Sequence, residues 1–130
     1  MPKEVVSSPE FAPPNGHFSQ ATIVEATGRL LFISGMTARN KDGDVTGVGD
    51  ITTQTHQVCR NLKAAVEACG GTLEDIARVD VYVRNMEDLA AIHAVRGQYF
   101  KVPPASTLME VSKFVNKDYL IEINAIAALS

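Results

Sequence analysis

The segment from Ile51 to Gly71 constrains the fold more than any other part of the chain. Its apolar residues recur at the three-to-four spacing of an amphipathic helix. They are Ile51, Val58, Leu62, Ala65 and Cys69. Asp50 offers an N-cap in front of the segment, and Gly70 and Gly71 give a stop at its end. The sequence therefore predicts one long helix that buries a single face.

The run IARVDVYVRN after this helix alternates apolar and polar side chains. Its two faces carry Val79, Val81 and Val83 on one side, and Arg78, Asp80 and Tyr82 on the other. Such alternation is typical of a strand that is covered on one side only.

Two further β-rich runs, Phe18–Glu25 and Arg29–Ser34, stand before the long helix and flank the dipeptide Thr27-Gly28. This pattern predicts a hairpin. The proline-rich start of the chain predicts an irregular arm that leads into it.

The remaining elements are a helix in MEDLAAIHAVRGQYF, which ends before Pro103, and two strands, Ser106–Lys113 and Tyr119–Ala127. The predicted order is ββαβαββ in a single domain over residues 1–130. This is an α+β fold with a mostly antiparallel sheet and two helices on one face. Ile and Leu side chains on the other face need cover, so we expect a homo-oligomer.

Composition and charge limit the classes of partner that we expect this chain to bind. Of the 130 residues, 45% are hydrophobic and 21% are charged, as in a globular protein, and no apolar run reaches the length of a membrane span. The start lacks the pattern of a signal or transit peptide, which predicts a cytoplasmic protein without a membrane partner. The net charge is −3 with scattered basic residues, so we expect no nucleic acid partner.

Cys59 and Cys69 are the two cysteines of the chain. Ten positions apart in one helix, they would lie roughly 15 Å from each other. This distance excludes a disulfide between them, so we expect buried, reduced thiols.

Common catalytic motifs are missing. His17, His56 and His93 have no metal-ligand spacing, and there is no CxxC pair, phosphate-binding loop or GxSxG motif. The sequence therefore shows none of the common motifs that bind a metal or a nucleotide.

Two polar residues stand where chemistry is feasible. Glu122 lies in YLIEINAIA on the strand face that also carries Leu120 and Ile126. A carboxylate among apolar neighbours suits a general acid or a base that activates water, but it can equally be a structural glutamate held by amides or a salt bridge. Ser34 ends a strand beside a glycine, where it can bind a ligand or simply cap the strand.

His93 and Arg96 fall inside the apolar arc of the second predicted helix. A single histidine there is more often a structural residue than a catalyst. An arginine in such an arc needs an acid or a wet cleft as its partner, unless its long side chain reaches water.

The stretches GHFSQ, LFISGM, NLKAAVEACGGTLEDIARVDVYVRNMEDL and PPASTLMEV…YLIEINAIA resemble the Rid family of YjgF-like enamine/imine deaminases. They match it in order and spacing from about Gly16 to Ala127. The resemblance implies a chorismate-mutase-like fold, a homotrimer with small-molecule clefts between subunits, and a hydrolytic chemistry that uses no metal or cofactor.

The resemblance also implies roles for individual residues. Glu122 takes the position of the glutamate that holds the attacking water, and Ser34 that of the strand-end serine beside Gly35. Phe18 takes an aromatic position without the usual hydroxyl. His93 stands at a helix position that is often Asn.

The chain departs from the family motif P-x-R-[ST] in one stretch, PPASTLMEV. Ser106 stands where an arginine holds the substrate carboxylate, and Leu108 stands where cysteine is common. The lost contact is worth roughly 2–5 kcal/mol, whereas a serine hydroxyl supplies about 1 kcal/mol. Three hypotheses follow: a deaminase with an atypical substrate, a non-catalytic small-molecule-binding or protein-interaction member, or an active site in which Arg96 or Arg39 supplies the missing charge.

Overall fold

The computed structural model describes residues 3–25 and 27–130, so Met1, Pro2 and Ala26 lie outside the described residues. Two helices pack on one face of a four-stranded sheet, and a two-stranded ribbon is formed near the N-terminus. In chain order the elements are β1 (Glu4–Val5), β2 (Thr22–Ile23), β3 (Arg29–Met36), α1 (Ile51–Ala68), β4 (Ile76–Val83), α2 (Leu89–Tyr99), β5 (Ala105–Glu110) and β6 (Ile121–Leu129).

The sheet has the strand order β3-β6-β4-β5. Strand β6 runs antiparallel to both of its neighbours, β3 and β4, whereas β4 and β5 are parallel. The predicted α+β class with a mostly antiparallel sheet is therefore confirmed.

The long helix begins where its cap predicts. Asp50 Oδ1 accepts a hydrogen bond from the Thr53 amide at 3.1 Å, and its Oδ2 accepts another from Thr53 Oγ1 at 2.8 Å. At the other end α1 stops at Ala68, and Gly70 follows with a φ of +83°, a left-handed conformation that favours glycine.

The core lies between the helices and the inner face of the sheet. On β4, Val79, Val81 and Val83 are buried and the alternate residues are more exposed, which confirms the predicted one-sided strand. Val58 and Leu62 of α1 are fully buried in the same core. This burial, rather than helix propensity, holds α1 on the sheet.

The predicted N-terminal hairpin is wrong. Strand β2 pairs with β1, a short strand inside the predicted irregular arm, while β3 pairs with β6. Gly28 suggested a turn, but its φ is not positive, and a Cβ there would overlap the carbonyl oxygen of Leu129. The glycine therefore serves the close approach of the C-terminal strand.

The outer face of the sheet, away from the helices, remains open in the single chain. Its exposed apolar side chains include Leu30, Phe32, Met109 and Ile126, and Phe32 is 70% exposed. Among the described residues no helix has the length and apolarity that crossing a membrane requires.

Candidate functional site

One set of predicted site residues lies on the outer face of the sheet. Glu122 in β6 pairs with Tyr82 in β4, and strand alternation directs both side chains to this face. On the other side of β6, the register of β3 slips at Ser34 and Gly35, which form a β-bulge. The structure therefore brings Glu122, Ser34 and Gly35 together, and we call them the outer group.

The backbone of this bulge lies against the Glu122 side chain. A Cβ at Gly35 would overlap Oε2 and would lie 2.7 Å from Cδ and 2.9 Å from Cγ of Glu122. Glu122 is half-buried. The two ion pairs that the described residues form involve other carboxylates, so no salt bridge holds Glu122.

The other predicted residues lie at the start of β5, next to α2. The Arg96 guanidinium donates a hydrogen bond from Nη2 to Ser106 Oγ at 2.9 Å. Of the two arginines considered as a replacement charge, Arg96 thus reaches Ser106. Arg39 is exposed and lines an open groove of about 510 Å³ that also touches Gly35.

Arg96 is a buried cation without a counter-ion. Only 1% of its surface is exposed, and no carboxylate lies within 4.0 Å of it among residues 3–25 and 27–130. Desolvation lowers its pKa, and the one ionisable group that acts in the opposite direction is the thiol of Cys59. Burial raises the pKa of that thiol to about 12, so it is neutral near pH 7 and does not offset the positive charge.

A segment from the N-terminal part of the chain covers this corner. The Ser19 amide donates to the Pro104 carbonyl at 2.9 Å, and Ser19 forms an isolated parallel bridge with Ala105. Phe18, half-buried, precedes Ser19 and is therefore carried to the beginning of β5. This pairing is not readable from the sequence, because it joins segments more than 80 residues apart.

His93 lies beneath the same segment. A Cβ at Gly16 would lie 2.9 Å from His93 Nε2, and the His93 Nδ1 atom is buried without a hydrogen-bond partner. Desolvation lowers the pKa of His93 below its usual value of 6.5, and the positive charges of Arg96 and His17 add to this effect. His93 is therefore mostly neutral at pH 7.

We call the second set the corner group: Phe18, His93, Arg96, Ser106 and Leu108. Ser106 pairs with Val79, whose side chain points into the core, and Leu108 packs against the core from the same face. Glu122 points to the opposite face. A single chain therefore separates the outer group from the corner group.

Sequence reasoning missed two residues that lie beside the corner group, His17 and Cys59. His17 forms a hydrogen bond through Nε2 with the Phe100 carbonyl at 2.8 Å, and Cys59 is close enough to Arg96 to influence its pKa. No signal in the sequence pointed to Cys59, since a cysteine on an apolar helix face is an ordinary core residue. Among the described residues, no His, Cys, Asp or Glu side chains cluster in threes to hold a metal ion.

A family model described as Endoribonuclease L-PSP matches residues 10–129. A solved structure from Yersinia pestis, described as a protein of unknown function of the conserved Rid protein family, covers 99% of this chain and 100% of its own. Its TM-score is 0.91 at 34% sequence identity. The chain belongs to the Rid family.

Two relatives extend the comparison within the Rid family. A RutC family protein of Pyrococcus horikoshii is 42% identical over 127 residues, which cover 96% of this chain and 97% of the relative. A protein of Dermatophagoides farinae named 2-iminobutanoate/2-iminopropanoate deaminase is 32% identical over 129 residues, 98% of each chain. The Yersinia pestis structure also confirms the expected α+β, chorismate-mutase-like fold.

Proposed function

We propose that this Rid protein is a hydrolytic deaminase, which converts an enamine or imine and water into a ketone product and ammonia. Glu122 carries the proposal, because it is a half-buried carboxylate beside the glycine bulge and has no ion-pair partner among the residues that the structure describes. The deaminase name of a relative at 32% identity supports the substrate class.

The reaction needs one base and one water molecule. An enamine first takes its imine form, with the N–H proton moving to carbon. The water oxygen then bonds to the imine carbon as the C=N π bond breaks, and Glu122 takes one water proton and passes it to the imine nitrogen. In the resulting carbinolamine the remaining hydroxyl proton also passes to nitrogen, the C–N bond breaks, and a C=O bond forms. Both water protons thus leave on ammonia, and Glu122 ends unprotonated. The Ser34 hydroxyl would orient the water at the bulge.

A complete site would combine the outer group of one copy with the corner group of another. The two groups point to opposite faces of one sheet, so a single chain cannot present both to one small molecule. The exposed apolar residues of the outer face favour burial between copies. We therefore include the homotrimer with intersubunit clefts in the proposal.

The deciding experiment measures ammonia release from 2-iminobutanoate, formed in place by a pyridoxal-phosphate-dependent dehydratase, above the rate in buffer. We expect Glu122→Gln to lower this rate by at least roughly 100-fold, because general bases contribute about 10²–10⁴-fold. Glu67→Gln, a matched change on the exposed side of α1, should keep the native rate. A native rate in Glu122→Gln contradicts the mechanism.

A panel of larger and less acidic imines extends the same assay. If the native protein accelerates ammonia release from none of them, the proposal is wrong, and the protein is a binding member of the family. RNA cleavage, which the description of the family model names, is not proposed, because the net charge is −3 and the basic residues are scattered along the sequence.

A further inference from the structure

We infer that Arg96 and Ser106 together form the binding site for the carboxylate of the substrate, with the guanidinium supplied by helix α2 instead of strand β5. This inference rests on the proposed function. The inference also narrows the proposed function, because the substrate must then carry a carboxylate next to its imine carbon.

The first argument is the uncompensated charge. Arg96 is 1% exposed, and a guanidinium this deeply buried needs a partner of opposite charge, which the described residues do not offer within 4.0 Å. Arg96 lies in the last turn of α2, where the helix dipole favours a cation, but this effect is small beside the desolvation of a full charge. His17 and His93 nearby are no source of negative charge.

The second argument is the geometry of the donors. Ser106 Oγ uses one N–H of the guanidinium, and the Nε atom of Arg96 is buried with no hydrogen-bond partner in the described part of the chain. Arginine recognises a carboxylate through two parallel N–H groups, so this guanidinium has donors left for one. Because Ser106 Oγ accepts from Arg96, its own proton remains available to a ligand oxygen.

The third argument is the neighbourhood. The adjacent His93 is kept neutral by burial and by the charge of Arg96, so its ring can donate or accept a hydrogen bond at this corner. The segment from Gly16 to Phe18 covers the corner. Gly16, which has no side chain, is the residue of this segment that lies against the His93 ring. Arg96 is 1% exposed in the single chain, so an anion can reach it only through a local opening of this corner.

The test compares an anionic probe with a neutral probe of the same shape, by calorimetry or NMR titration. The probes are 2-oxobutanoate and 2-oxobutanamide. We expect Arg96→Met to weaken 2-oxobutanoate binding at least tenfold while binding of the amide stays within twofold of native. The affinity of Arg96→Lys for 2-oxobutanoate should lie between those of Arg96→Met and the native protein. Lysine keeps the positive charge but lacks the paired N–H donors of the guanidinium.

Two further variants keep the inference falsifiable if Arg96→Met folds poorly. Ser106→Ala should weaken 2-oxobutanoate binding several-fold, since it removes the hydroxyl that fixes Nη2. The double change Arg96→Met with Ser106→Arg returns a guanidinium to the same corner and should restore preference for the anion. Equal losses for both probes, or no loss of anion binding in Arg96→Met and Ser106→Ala, overturn the inference.

The two proposals fail in different ways. If 2-oxobutanoate binds through Arg96 but no imine releases ammonia faster than in buffer, the deaminase proposal is wrong and the carboxylate site stands. If ammonia release depends on Glu122 while Arg96→Met leaves the KM for 2-iminobutanoate unchanged, the carboxylate site is wrong and the deaminase proposal stands.

Discussion

Gly35 lies so close to Glu122 that any side chain at position 35 would occupy the volume of the carboxylate. The contact joins a bulge in β3 to the outer face of β6. The far end of a glutamate is flexible, so a larger residue at position 35 would move the carboxylate rather than break the sheet. The glycine therefore determines where Glu122 can point.

Gly35→Ala separates this positioning role from stability. We expect ammonia release to fall by about 100-fold, comparable to loss of the base itself, because the added methyl group displaces the Glu122 carboxylate. The melting temperature should change little. Gly97→Ala is the control for glycine replacement: its Cβ would lie 3.9 Å from the His17 ring, and it should stabilise α2 by about 0.5–1 kcal/mol. Native activity in Gly35→Ala would contradict the role of Glu122.

The exposed apolar residues on the outer face of the sheet lead to a prediction about the oligomeric state. Phe32→Glu places a charge in the exposed apolar surface, so we expect this variant to be monomeric where the native protein is a homotrimer. Light scattering after gel filtration measures the two masses. Val115→Glu, at a loop residue that is 97% exposed, should leave the trimer intact. A native protein that is monomeric at micromolar concentration would contradict the trimer.

Shared sites make a further prediction about mixed oligomers. Glu122→Gln removes the base, and Arg96→Met removes the carboxylate site, so each variant alone should have low activity. Copies of the two variants assembled together should regain part of the native activity, because some clefts then combine an intact Glu122 with an intact Arg96. If mixed oligomers stay as inactive as the parents, the two groups do not meet between copies.

Local patterns predicted the parts of this fold that local physics determines. Asp50 caps α1 because its side chain bonds to an amide three residues away, and one-sided burial of β4 follows from its alternation. The strand pairing of β1 with β2 and the contact of Arg96 with Ser106 join residues across chain bends, so no periodicity encodes them. The position of Arg96 in an apolar arc was the one sequence signal for the role that we propose for it.

The lowered pKa of His93 predicts a loss of stability in mild acid. In the unfolded chain this histidine titrates near 6.5, whereas desolvation and the charges of Arg96 and His17 hold the folded value lower. Between these values the unfolded chain binds more protons, so the free energy of unfolding rises with pH and falls on acidification through this window. The free energy of unfolding, measured with urea at pH 5 and at pH 7, should differ less between the two pH values for His93→Gln than for the native protein.

His56→Gln is the matched control for this measurement. His56 bonds to the Tyr99 hydroxyl at 2.9 Å and lies outside the corner group. Its variant should keep the native difference between the two pH values. A difference that is equally large in His93→Gln would show that another group causes the acid sensitivity.

The two thiols should differ sharply in reactivity. Both cysteines are free, as predicted, and Cys59 is buried in α1. Cys69, which was also predicted to be buried, is only half-buried at the C-cap of α1. Since the thiolate is the reactive form, and burial raises the pKa of Cys59 to about 12, an aromatic disulfide reagent at pH 8 should titrate one thiol per native chain. The second thiol should react only as fast as the chain unfolds.

The variants Cys59→Ser and Cys69→Ser assign the fast thiol. We expect Cys69→Ser to abolish the fast reaction and Cys59→Ser to preserve it. Rapid reaction of Cys69→Ser under native conditions would mean that Cys59 reaches solvent or ionises readily. A thiolate at Cys59 would then offset the charge of Arg96, and the case for a carboxylate ligand at Ser106 would lose its first argument.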